Sequence, residues 1–245
     1  PLLGPGSNSR FCIEDGRFMA SGSWEGIEYV CMLHLSDSSL SWQWIVEIKN
    51  VSGAAIDLDM ICLQDVGLKT ATTGLINEYY VSQYLERRIL EDSRYGSVVC
   101  CRQNMKESGG NPWLMIACGG GAASASVDGM QFYGRTFRET RIPEGLLAET
   151  LGGEYSGESS VAAIQENLFR LAPGEYHMSL FAATYMADHP EATSAEDLKR
   201  LPALMAEFRS DVPFKVPEAL TTPRRNIFNT SSFLKADDLG GTDLE

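Results

Sequence analysis

Residues 42–49 read Trp-Gln-Trp-Ile-Val-Glu-Ile-Lys, and this alternation constrains the fold more than any other stretch of the chain. Trp42, Trp44, Val46 and Ile48 fall on one side of an extended backbone. Gln43, Glu47 and Lys49 fall on the other, with Ile45 the exception. A period of two marks a half-buried strand, whereas a helix would scatter the same residues around its circumference. Ile27 to Leu35 alternates less cleanly and ends in the turn cluster Ser36-Asp37-Ser38-Ser39. Asn50-Val51-Ser52-Gly53 makes the next turn. Ile56, Leu58, Met60 and Cys62 then alternate with Asp57 and Asp59. Three such runs joined by short turns predict antiparallel strands.

Further along, Ser97 to Arg102 and Trp113 to Cys118 are short β-like runs separated by the turn Gly109-Gly110-Asn111-Pro112. Gly119-Gly120-Gly121 predicts a bend, or a place where another group approaches the backbone closely. Ala162 to Leu171 fits helix or strand. The turn signal Pro173-Gly174 and the strand-like Tyr176 to Tyr185 favour a hairpin there. One region asks for a helix. Ser194-Ala195-Glu196-Asp197 has the form of an N-terminal cap with a carboxylate three residues on, and Leu198, Leu201, Met205 and Phe208 recur at helical spacing. Pro202 predicts a kink, or two short helices. Beyond Asp211 the chain turns proline-rich, and residues 223–245 read as a linker.

At 245 residues the chain has room for one large all-β domain or two small ones, and 44% apolar residues are enough for a sizeable core. A formal charge of −13 argues against nucleic acid and against an anionic membrane surface. No apolar run approaches the roughly 18 residues of a spanning helix, and no charged segment followed by an apolar one opens the chain. The opening Pro1-Leu2-Leu3-Gly4-Pro5-Gly6 reads as a loop cut from something longer. Six cysteines lie mostly inside apolar runs, with no Cys-x-x-Cys pair and no histidine at metal-ligand spacing. Cys100 and Cys101, being adjacent, should face opposite sides of a strand. The expectation is buried reduced thiols and a cytoplasmic protein, with no metal or cofactor. The Asn-x-Ser/Thr triplets at Asn50 and Asn229 read as chance matches.

The stretch from Asn77 to Gly134 mixes amides, tyrosines, a tryptophan and charges between short apolar runs. Flat aromatic faces suit the C–H surfaces of a polyhydroxylated ligand, and planar polar groups suit its hydroxyls. Each residue taken alone reads more readily as packing; their joint occurrence favours a binding surface. The histidines do not build a nucleophile site. His34 and His177 sit in predicted strands and His189 precedes Pro190 in a turn. There is no Gly-x-Ser-x-Gly elbow, phosphate loop or His-Glu-x-x-His. Asp128, Glu139, Glu144, Glu154 and Glu158 could in principle supply a glycosidase pair, but 33 acidic residues make such pairs unremarkable.

Several motifs stand in order along the chain: Ser23-Trp24-Glu25-Gly26-Ile27-Glu28-Tyr29, Gln64-Asp65-Val66-Gly67-Leu68, Asn77-Glu78-Tyr79-Tyr80-Val81-Ser82-Gln83-Tyr84, Arg102-Gln103-Asn104, Pro112-Trp113-Leu114, Asp128-Gly129-Met130-Gln131-Phe132, Leu171-Ala172-Pro173-Gly174-Glu175, Asp188-His189-Pro190-Glu191-Ala192 and Asn226-Ile227-Phe228. Together they resemble the N-terminal domain of inverting phosphorylases of glycoside hydrolase family 94, formerly glycosyltransferase family 36. Its members include the 1,2-β-oligoglucan and cellobiose phosphorylases and the phosphorylase-like part of cyclic β-1,2-glucan synthases.

The resemblance implies a mainly β fold: a large antiparallel β-sandwich (supersandwich) over residues 1–222 with a few short helices. Residues 223–245 would begin a linker toward an (α/α)6 catalytic barrel, which in the family supplies the acid and the phosphate pocket. No catalytic residue is therefore expected here. The implied partners are a β-glucan oligosaccharide, the barrel of the same polypeptide and a second subunit in a homodimer. Trp113, Gln131 and Phe132, and less strongly Tyr80 and Arg135, are the candidates for contact with sugar or partner subunit. Arg135-Thr136-Phe137-Arg138-Glu139-Thr140-Arg141 is more charged than the family pattern leads one to expect. Two other readings stand beside this one: a free-standing carbohydrate-binding protein, and a small complete glycosidase.

Overall fold

A computed structural model describes residues 2–3, 7, 9–14, 17–70, 72, 83–154 and 160–208. Tyr80 and the 223–245 linker lie outside the described residues, as does the Asn226-Ile227-Phe228 motif.

Thirteen strands are described. The first six are β1 (Arg10–Glu14), β2 (Arg17–Trp24), β3 (Ile27–Leu35), β4 (Ser41–Asn50), β5 (Ile56–Leu58) and β6 (Ile61–Asp65). There follow β7 (Leu85–Asp92), β8 (Gly96–Gln103), β9 (Trp113–Cys118) and β10 (Ala122–Asp128). The last three are β11 (Ser160–Glu166), β12 (Phe169–Leu171) and β13 (Tyr176–Met186). Short helices α1 (Gly129–Tyr133) and α2 (Phe137–Thr140) lie between β10 and β11, and α3 (Leu201–Glu207) follows a 3-10 turn at Ala195–Arg200.

Eleven strands join in one sheet, in the order β1-β2-β3-β4-β13-β9-β8-β10-β11-β6, with β7 on the other side of β8; β5 and β12 form a separate pair. Every described pairing is antiparallel except one. β10 touches β8 in parallel at the single pair Ala122–Gly96. β10 leaves β9 through Gly119-Gly120-Gly121 and, with β11 and β6, crosses back over the sheet as a second layer. Between the layers lies the main core: Val99, Cys101, Leu114, Ile116, Phe181 and Ala183 on one side, Ala125, Val127, Ala162 and Ile164 on the other. The glycines let the turn form. A Cβ on Gly120 would sit 2.7 Å from Glu166 Oε1, and Gly121 has φ +90.

The central strands are buried on both faces. Cys100, Trp113, Met115, Ala117 and Ala182 meet Leu201, Leu204 and Phe208 on the face opposite the sandwich core. Cys100 and Cys101 thus point to opposite sides, as their adjacency predicts. This double burial is why β8 and β9 read as unbroken apolar runs rather than alternating ones. The alternation of β4 is also realised. Trp44, Val46 and Ile48 face the core covered by the β5–β12 pair, and Ile45 joins Met19 and Met32 on the reverse face.

Two expectations about neighbours are corrected. The third predicted run does not continue the meander. β4 pairs on its far side with β13, Lys49 opposite Tyr176, while β5 pairs with β12 and β6 with β11. Nor do Ala162–Leu171 and Tyr176–Tyr185 make a hairpin. β11 lies between β10 and β6, and β13 between β4 and β9. Periodicity reports which face a side chain takes, and these strands have buried surfaces that neighbours distant in sequence fill better than the next strand along. The helical region matches its prediction. Ser194 and Asp197 form a reciprocal capping box, and the helix divides at Leu201–Pro202 into a 3-10 turn and α3.

Candidate functional site

The sequence candidates separate sharply by burial. Trp113 is fully buried. Its Nε1–H donates to Thr193 Oγ1 at 3.1 Å, and its ring stacks on the His189 imidazole with centroids 4.9 Å apart. His189 Nε2 lies 2.8 Å from Asp197 Oδ1, and Nδ1 lies 2.8 Å from the Glu191 carbonyl oxygen. Arg102 donates from Nε to the His189 carbonyl and from Nη2 to the Pro190 carbonyl, each at 2.7 Å. Three of the motifs, around Arg102, Trp113 and His189, therefore converge on one fastening that holds the helical segment to β8 and β9. Trp113 has no open face for a sugar. Burial weighs against the Asp197 carboxylate, but hydrogen bonds from the Ser194 backbone and His189, with the nearby Arg200, win and hold its pKa below 3.8.

Phe132 is also buried, packing with Leu151, Val161 and Ala163 on the outer side of β11. It anchors an excursion between β10 and β11 that carries Gln131 and Arg135, both exposed. Asp128 starts this excursion by accepting from the Met130 amide at 2.7 Å, which caps α1. Gly134, at φ +73, ends α1. Met130, Ile142, Leu146 and Leu147 are exposed on the same segment. Thus Gln131 and Arg135 share one exposed loop region, while Trp113 belongs to another part of the molecule.

The carboxylates proposed for a glycosidase are engaged otherwise or lie in the open. Asp128 is the cap just described. Glu144 accepts from the Thr136 hydroxyl at 3.1 Å. Glu154 pairs with Arg88 at 3.1 Å. Glu139 is exposed, and Glu158 lies outside the described residues. The histidine–carboxylate pair that most resembles catalytic machinery is His177 with buried Glu166, at 3.1 Å. Ser179 donates to the other carboxylate oxygen at 2.5 Å. Here the carboxylate stands between hydroxyl and imidazole. A Ser-His-acid site needs the imidazole in the middle to take the hydroxyl proton, so this arrangement is a packing network. Among the described residues no group of three or more His, Cys, Asp or Glu could hold a metal ion.

The feature that sequence reading missed is an open groove of about 600 Å3 on the face of the sheet away from the sandwich core. Cross-strand register builds it as two rows. One runs Arg10, Ser21, Val30, Glu47. The other runs Ser23, Glu28, Lys49, Tyr176. Lys49 Nζ lies over the Tyr176 ring, 4.9 Å from its centroid. Contact with the Tyr176 hydroxyl, and more weakly the charge of Glu28, holds the Lys49 pKa above 10.5. The sequence did contain a signal, the polar alternates of β2, β3 and β4. Their meeting in one concavity needed β13 beside β4, a neighbour that periodicity does not reveal.

Comparison with known proteins adds the following. Residues 1–182 match the model of the SOGP N-terminal domain. A 1,2-beta-oligoglucan phosphorylase from Listeria innocua is 26% identical over 155 residues, covering 62% of this chain and 14% of that protein. The chain therefore spans about a seventh of that relative's length. Among solved structures, a protein provisionally named kojibiose phosphorylase, from the human microbiome, aligns over 78% of this chain and 21% of its own at 8% identity and TM-score 0.47. A galactose mutarotase related enzyme from Lactobacillus acidophilus aligns over 77% and 74% at 8% identity and TM-score 0.38. Likenesses this loose bear on neither function nor fold detail.

Proposed function

Since the chain belongs to the SOGP N-terminal domain family, we propose that it is the non-catalytic β-sandwich module of an inverting β-glucan phosphorylase. Its work in this reading is to support a catalytic barrel of the same polypeptide, to dimerise, and to lend loop residues to sugar binding. The observation that carries the reading is the employment of its ionisable groups. Among the described residues the buried carboxylates are Asp128, Glu166 and Asp197, and each is committed to a cap or a packing network. The two carboxylates of the groove, Glu28 and Glu47, stand on an open sheet face with Lys49 opposite Glu28. A glycosidase acid depends on a site that excludes water and raises its pKa. Gln131 and Arg135 are the residues assigned to contact with sugar or partner subunit, because both are exposed on one anchored excursion. A cytoplasmic location fits four buried cysteines with no disulfide among the six.

The test is chemical silence. Pure protein, incubated with β-1,2-linked glucose oligomers and inorganic phosphate, should release no sugar phosphate. Incubated with glucose 1-phosphate and an acceptor, it should build no oligomer. Turnover in either direction by the chain alone would overturn the reading. The groove favours a second reading, a carbohydrate-binding protein that acts without a barrel; a parent reading frame that continues into a helical barrel would exclude it.

A further inference from the structure

The outer-face groove has a composition that selects its ligand, and we infer that it is a binding site for a neutral, extended oligosaccharide rather than for a sugar phosphate. The inference rests on the carbohydrate reading above and names the ligand class of a particular surface. Charge is the first argument. Arg10 and Lys49 stand against Glu28 and Glu47, two cations against two carboxylates in one concavity. An anion entering it would gain from one pair and lose to the other. A neutral polyol meets instead alternating donors and acceptors, with Ser21 and Ser23 adding hydroxyls that serve as either.

The second argument is the aromatic. Tyr176 is 59% exposed, and Lys49 covers its ring from one direction. An exposed tyrosine ring is a platform for the C–H face of a sugar, since its two side-chain torsions cost little to fix on binding. Tyr176 closes one row and Ser23 opens it, so polar groups and platform lie along one line across the strands.

The third argument is length. The groove is lined from β1 across β2, β3 and β4 to β13. That is four interstrand spacings of about 4.8 Å, roughly 19 Å in all. Such a span suits a short chain of sugar rings better than a monosaccharide. The volume, about 600 Å3, falls within the usual range of ligand clefts.

Isothermal titration of the whole chain tests the site, with β-1,2-linked glucose oligomers, glucose and glucose 1-phosphate as probes. The expected result is oligomer binding that outlasts 0.5 M salt, with glucose 1-phosphate binding no more tightly than glucose. Tyr176→Ala should weaken oligomer binding at least tenfold, Tyr176→Trp should hold it within about threefold, and Lys49→Ala should weaken it several-fold. Unchanged melting curves would establish that the variants fold, as the exposure of Tyr176 leads one to expect. Full affinity in Tyr176→Ala overturns the site, as does a preference for glucose 1-phosphate or an absence of oligomer binding. If Gln131→Ala or Arg135→Ala abolishes binding and Tyr176→Ala does not, the groove is excluded while the phosphorylase-module reading stands. Turnover by the chain alone overturns that reading and leaves the groove untouched.

Discussion

His189 shows how a residue with chemical potential can be spent on structure. It lies between the Trp113 ring and Asp197, and its carbonyl takes one arm of Arg102. Replacing His189 by Ala leaves Asp197 short of a buried partner and Trp113 without its stacked ring. The variant should lose about 3 kcal/mol, which for a chain of this size is roughly 6–12 °C in Tm, read by thermal melting. The cysteines give a chemical readout of burial. Burial pushes the thiols of Cys101 and Cys118 up to about 12, and that of Cys31 likewise with a smaller push from Cys62. Thiol reagents at neutral pH should therefore leave these three unmodified in the native protein and label them on unfolding, a contrast that mass spectrometry reads directly. The opposed faces of Cys100 and Cys101 were legible from adjacency alone. The burial of Trp113 was not, because an aromatic beside proline looks the same in a sequence whether a sugar or a histidine stacks on it.

At the scale of elements, α3 is held to the β3–β4 turn through one carboxylate. Glu207 Oε1 accepts from Ser39 at 2.7 Å and Ser38 at 3.2 Å, and also from Ser36. Partial burial opposes ionisation, but the hydroxyls of Ser36, Ser39 and Ser38 outweigh it, and the pKa lies below 4.5. Asp197, at the start of the same helical segment, is likewise lowered. For a carboxylate whose folded pKa is depressed, the stabilisation is complete above the unfolded value and drains away as pH falls through the folded one. The segment from Ala195 to Phe208 should therefore loosen from the sheet below about pH 4, before the sandwich itself opens, and not above about pH 5. Amide exchange along α3 followed through an acid titration checks this, and early loss of protection in β8 and β9 would contradict it. The capping box that starts this segment was readable from Ser194 and Asp197, since its rule is local. The Glu207 clamp joins residues about 170 apart and leaves no local pattern.

For the whole molecule, the sandwich was legible and the neighbours within it were not. Faces follow from alternation, as in Trp42 to Ile48, but partners depend on which buried surfaces close best, and the sequence places those far apart. The folding of the sheet on itself rests on Gly96, at φ +65, where an added Cβ would lie 2.1 Å from the Ala122 carbonyl oxygen. Gly96→Ala must move one layer against the other, and a loss of at least about 2 kcal/mol in denaturant unfolding is expected. The position of β13 has its own consequence. It is the last long strand among the described residues, yet it lies between β4 and β9, so the two halves of the sheet meet only through it. On a ribosome, which feeds out the chain from its N-terminus, β4 emerges more than a hundred residues before the strand that completes it. Until then one long edge of the β1–β4 meander waits unpaired, a natural point for a chaperone to hold and for premature termination to leave a sticky product.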